Sequence, residues 1–194
     1  MSSIIRPALV MFGALSLLCG VLYPVAVTGV GRVAFAHEAS GSLLEAGGRT
    51  VGSSLIGQPF SAPRYFWSRP SATAPMANNA AGSSGSNQGP TNPALLDTVK
   101  SRVAALKQAD PGNRAPVPVD LVTASASGVD PEISIAAAEY QAARVAAARK
   151  LPEGQVRALI AAQRKEPTLG FFGEPRVNVL ALNLALDGKA PRAR

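Results

Sequence analysis

The side chains that most often carry catalysis or hold metal are scarce. His37 and Cys19 are the only residues of their types in the chain. A metal centre needs converging His, Cys or carboxylate ligands. Asp130 and Glu132 stand close together, but without the spacing of a calcium loop, so no metal site is expected. A nucleophilic triad would have to recruit His37, which lies outside the folded domain, and neither a GxSxG elbow nor an SxxK pair occurs. Ser125-Ala126-Ser127-Gly128 has the small hydroxyl residues of a nucleophile loop, but the same residues are also those of a turn between two elements. A self-sufficient ATPase would show GxxxxGK[ST]. Gly188-Lys189 is followed by alanine and has no matching glycine upstream, and the stretch from Gly82 to Gly89 contains no lysine. No catalytic residue is nominated, and the chain is expected not to be an enzyme on its own.

The elements that would position any site begin with an apolar helix. From Pro7 to Gly31 no residue is charged. About 25 residues at ~1.5 Å each reach about 37 Å, more than the ~30 Å of a bilayer core. This predicts one transmembrane helix within an N-terminal segment 1–36, tilted or kinked at Pro24. A cleaved signal peptide is the competing reading, supported by Ala34-Phe35-Ala36 and by Arg6, but its apolar region would be unusually long. The uncleaved anchor is preferred. Cys19 sits inside it and says nothing of redox compartment. Arg6 and the α-amine are unopposed by acid, whereas Arg32 is followed by Glu38. The positive-inside rule then places the N-terminus in the cytoplasm and the domain outside it.

Residues 37–194 hold one small mixed α+β domain. Thr50–Gln58 reads as a strand, and Tyr65-Phe66-Trp67 as an aromatic cluster for the core. Residues 71–92 form a long Ser/Gly/Asn-rich loop, either functional or mobile. Asn92-Pro93 starts a helix with Leu96, Val99, Val103 and Leu106 in one stripe. Val117–Thr123 reads as an edge strand. Ser134 caps a second helix to about Lys150, and Pro152 opens a third. Phe171-Phe172-Gly173-Glu174-Pro175 is a turn, and Val177–Leu186 is a strand, a helix, or one running into the other. The chain is 47% hydrophobic, 16% charged and carries a formal charge of +7. Its cations are spread out rather than interleaved with aromatics, so membrane lipid is expected as a neighbour and nucleic acid is not.

Several segments in order resemble the C subunit of the bacterial Kdp potassium-transporting P-type ATPase. They are Arg6-Pro7-Ala8-Leu9, Leu22-Tyr23-Pro24, the run from Gly52 to Gln58, Arg69-Pro70-Ser71-Ala72-Thr73 and Gly85-Ser86-Asn87. The run from Val119 to Gly128 follows, then Gln141 with Arg144-Val145, then Val177 to Leu180 and Leu182 to Asp187. Ser68 and Ser84 stand where the family commonly has glycine, Ile135 replaces a proline and Pro152 a capping serine. These are local changes of turn and cap.

The resemblance implies a non-catalytic accessory subunit in the bacterial inner membrane. Its partners would be an ATPase subunit, which forms the aspartyl phosphate, and a channel-like subunit, which binds potassium. It binds no cofactor itself; ATP and potassium are handled by those partners. A family proposal makes the C subunit a catalytic chaperone that raises ATP affinity, with Gln141 and Arg144 matching a pair held to touch the nucleotide. A domain outside the cytoplasm could not reach that nucleotide, so the bland role of Gln141 and Arg144, i,i+3 neighbours on a polar helix face, stands beside it. A membrane-anchored extracytoplasmic hydrolase using Ser125 or Ser127, and a basic module binding anionic lipid or nucleic acid, are the alternatives.

Overall fold

The computed structural model describes residues 2–189 and 192–193. The chain divides into an N-terminal unit ending at Ser42 and a second unit from Leu43 to Ala193.

In the first unit, α1 (Ser2–Leu17) passes through a π-helical stretch, Leu18–Leu22, into α2 (Tyr23–Ala34). The apolar span Ile4–Ala34 has 31 residues, none of them buried within the chain. The wide turn has a local cause. Pro24 offers no N–H, and its ring would press on the carbonyl one turn back. Widening the preceding turn, where the Tyr23 N–H donates to the Leu18 carbonyl, relieves that clash while keeping the helix continuous. A single turn, α3 (Ala36–Ala39), follows.

In the second unit, β1 (Leu43–Ala46) and β2 (Arg49–Ser53) form a hairpin. Gly47 and Gly48 join them with φ of +60° and +75°, the left-handed pair that a two-residue hairpin turn requires. β6 (Arg192–Ala193) pairs with the other edge of β1. A second antiparallel sheet has the order β3 (Glu132–Ser134), β5 (Arg176–Asn178), β4 (Arg164–Lys165). Four helices complete the unit: α4 (Pro93–Ala109), α5 (Ile135–Arg149), α6 (Glu153–Gln163) and α7 (Val179–Leu186). Phe66, Ile133, Val145, Val156, Ile160, Val177, Val179 and Leu182 lie at the centre of the core. Leu180 and Leu184 leave α7 on its other side and meet Leu44 beneath the first sheet. The architecture is one long apolar helix followed along the chain by a mixed α+β domain.

The caps explain the helices. Asn92 accepts from the Ala94 N–H ahead of Pro93. Ser134 accepts from the Ala137 N–H, and α5 ends on Lys150 in the left-handed region. The C-terminal segment resolves as a strand running into a helix. Asn178 ends β5 and its Oδ1 accepts from the Ala181 N–H at 3.0 Å, starting α7.

Two expected strands differ. Val117–Thr123 folds as a 3-10 turn at Val119–Leu121, because Pro116 and Pro118 remove the donors a ladder needs. The strand read over Thr50–Gln58 stops at Ser53, whose Oγ accepts from the Leu55 N–H and turns the chain. Gln58 then comes back to donate from Nε2 to the Val51 carbonyl at 2.8 Å. Residues 71–92 contain one helical turn, Ala80–Gly82, and are pinned rather than free. The Ser84 N–H donates to the Ser127 carbonyl and the Ser71 hydroxyl to the Gly128 carbonyl.

Candidate functional site

The densest polar arrangement in the second unit is a strap, residues 58–69, clamped across α5 and α7. The helical repeat places Gln141, Arg144 and, less directly, Arg149 toward the strap from α5. Asn183 does the same from α7, and Asp187, one turn on, from the cap of its C-terminus.

Two side-chain amides hold the strap's backbone. The Trp67 N–H donates to Gln141 Oε1 at 2.8 Å, and Gln141 Nε2 donates back to the Trp67 carbonyl at 3.1 Å. The Phe66 N–H donates to Asn183 Oδ1 at 2.8 Å, and Asn183 Nδ2 donates to the Phe66 carbonyl at 3.0 Å. Each amide thus satisfies both backbone groups of one residue, as a neighbouring strand would. Between them the Phe66 ring is fully buried.

Arg144 supplies the charge. Its Nη1 donates to the Pro63 carbonyl at 2.5 Å, and its Nη2 to the Tyr65 carbonyl at 3.2 Å and to Gln141 Oε1 at 2.7 Å. The guanidinium lies 4.1 Å from the centroid of the Trp67 ring, a cation–π contact. Burial pushes the Arg144 guanidinium down to about 10, against a smaller upward pull from Asp110. It therefore remains charged at neutral pH. At the outer edge, Arg149 donates to the Arg64 and Leu186 carbonyls and pairs with Asp187 at 2.8 Å. The Tyr65 hydroxyl donates to the other Asp187 oxygen at 2.9 Å. Burial would raise the Asp187 carboxyl, but these hydrogen bonds hold it below its ordinary range.

Gln141 and Arg144 are therefore not a solvated helix face. Gln141 is 1% exposed and Arg144 7%, because α5 is covered on this side by the strap. Direct contact of either side chain with a nucleotide would require the strap to lift off α5.

The other candidate residues fall elsewhere. Ser125 Oγ accepts from the Gly128 N–H at 2.9 Å and lies 3.3 Å from Ser127 Oγ. Ser127 Oγ accepts from the Val129 N–H, so both hydroxyls close a turn. His37 belongs to the N-terminal unit. Asp130 pairs with Arg69 at 2.9 Å, and Glu132 pairs with both Lys165 and Arg176. Among the described residues no three His, Cys, Asp or Glu side chains converge as a metal ion would need. Sequence reasoning passed over Asn183, Arg149 and Asp187. The signal was the pair of asparagines in Val177–Leu186, where every other residue is apolar. A polar residue placed singly in such a run has to find a buried partner.

The family model described as KdpC, the K+-transporting ATPase c chain, matches residues 5–188. A potassium-transporting ATPase KdpC subunit from Herminiimonas arsenicoxydans is 67% identical over 187 residues, covering 96% of this chain and 98% of the relative. The subunit of the same name from Janthinobacterium sp. (strain Marseille) is 63% identical, covering 96% and 99%. That from Methylibium petroleiphilum is 63% identical over 191 residues, covering 98% and 100%.

Proposed function

The chain belongs to the KdpC family of K+-transporting ATPase c chains, and from that premise we propose that it is the non-catalytic accessory subunit of an ATP-driven potassium importer. One apolar helix fits a single-pass protein of the inner membrane. The partners are an ATPase subunit and a channel-like subunit, which handle ATP and potassium between them. The observation that carries the non-catalytic reading is the clamp. Gln141, Arg144 and Asn183 spend their polar atoms on the backbone of the strap, which shapes a surface rather than arming a reactive group. Gln141 and Arg144 act as positioning residues. Any effect of their replacement on ATP affinity travels through the strap and the partner subunits.

The tagged full chain, expressed with the rest of its operon and extracted in mild detergent, is expected to bring down two larger membrane subunits with potassium-stimulated ATPase activity. Deletion of the chain should abolish that activity in the membrane. Full activity without it sinks the proposal. A deletion complex that still assembles but needs far more ATP would favour the chaperone role over assembly.

The domain lies outside the cytoplasm in this proposal, with the N-terminus inside. Ser101 is exposed on α4. A Ser101→Cys variant on a Cys19→Ala background is expected to react with a membrane-impermeant maleimide in intact spheroplasts. Reaction only after lysis would reverse the orientation.

A further inference from the structure

The hairpin between β4 and β5 ends in a tip with three large apolar side chains in solvent. Leu169 is 78% exposed, Phe171 70% and Phe172 58%. Scattered exposed apolar residues need no explanation, but a contiguous cluster on one rigid element does. The two phenyl rings pack together with centroids 4.2 Å apart.

The tip is held in shape. Thr168 and Phe172 exchange both backbone hydrogen bonds, each 2.9 Å, and the Gly170 N–H donates to the Pro167 carbonyl. Leu169, Gly170 and Gly173 sit at φ of +56°, +81° and +86°. A leucine in the left-handed region is uncommon, and here it turns the side chain outward. Pro167 and Pro175 flank the loop on either side. The base is tied by Glu132, which pairs with Lys165 at 2.9 Å and with Arg176 at 2.6 Å. A preorganised apolar tip loses little freedom on docking.

The collar of charge decides between occupants. Arg164, Lys165 and Arg176 are balanced by Glu132, Glu166 and Glu174. Each of these cations is already paired, Arg164 with Glu166 at 2.7 Å and the other two with Glu132. An anionic bilayer surface would be met by free cations, and this neutral collar offers it none. A protein pocket with an apolar floor and a polar, uncharged rim matches it, since binding energy concentrates in a few central aromatic residues ringed by near-neutral contacts.

We infer that the Leu169–Phe172 tip docks into an apolar pocket on another subunit of the transporter. The inference rests on the accessory-subunit reading above. It makes the hairpin a point of subunit recognition, separate from the clamp on α5 and α7.

The test compares the tagged full chain with its Phe171→Ser/Phe172→Ser variant in the detergent-extracted complex. The variant is expected to recover the larger subunits at least tenfold less well. Phe171→Leu/Phe172→Leu, which keeps the tip apolar, should recover them within threefold of wild type. Phe171→p-benzoylphenylalanine, irradiated in the membrane, should form an adduct with one of the larger subunits. Undiminished recovery by the serine variant, or an adduct only with lipid or with a second copy of this chain, overturns the docking while leaving the accessory reading intact. If the wild-type chain itself recovers no larger subunit, the accessory reading fails and the docking fails with it.

Discussion

Gln141→Ala will destabilise the domain by about 4 kcal/mol. The Trp67 N–H and carbonyl lose their partner together, and each unsatisfied buried group costs about 1–3 kcal/mol. The vacated volume adds a cavity term. Arg144 also loses the acceptor that orients its Nη2. For a domain of this size the midpoint of thermal unfolding should fall by about 10 °C, at ~2–4 °C per kcal/mol. Gln141→Met keeps the length of the side chain and isolates the hydrogen-bond share, expected at about 2 kcal/mol. Circular dichroism melts of the purified full chain in detergent read both values. A shift below 2 °C for Gln141→Ala would mean that the strap is not held from α5.

Gly128→Ala is expected to cost about 3 kcal/mol by two routes. Gly128 has φ of +67°, a region that costs an L-residue about 1–2 kcal/mol. A Cβ there would stand 2.5 Å from the Ser84 carbonyl oxygen and 2.7 Å from Thr73 Cγ2. The carbonyl cannot easily retreat, because the Ser84 N–H is bonded to the Ser127 carbonyl at 2.9 Å. The variant should therefore loosen residues 71–92 from the turn at 125–128, seen as faster proteolysis within that loop. Gly89→Ala is the control, since a Cβ at Gly89 meets nothing within 4 Å, and surface changes of that kind stay within about 0.5 kcal/mol. Equal stability of the two variants would contradict the packing described for this loop.

Three of the four helices of the second unit were legible because their signals are local; α7 stayed open between strand and helix. Asn92-Pro93, Ser134 and Pro152 mark three helix starts at the chain positions where α4, α5 and α6 begin. Of the strands only β2 was, as the first half of the run Thr50–Gln58. β3 and β5 have three residues each and β4 two, too few for an alternating pattern to show, and their pairing depends on chain brought from far away. Val117–Thr123 has strand-forming residues, but Pro116 just before it and Pro118 within it outweighed them. The clamp was not legible. Gln141 and Arg144 were singled out only by the family resemblance, as a nucleotide contact, and their burial could not be read from α5, where alanines on every side make the covered and uncovered faces look alike. Asn183 was passed over, although it interrupts a run of leucines and alanines.

The strap has a consequence for how the polypeptide reaches its native state. Phe66 is fastened by a residue 117 positions later, and Trp67 by one 74 positions later. Closing loops of that length is slow compared with forming an alanine-rich helix such as α5. During synthesis Trp67 can be fastened only once α5 has left the ribosome, and Phe66 only once α7 has followed. A nascent chain that stalls before Val179 lacks Asn183, the side chain that satisfies both backbone groups of Phe66.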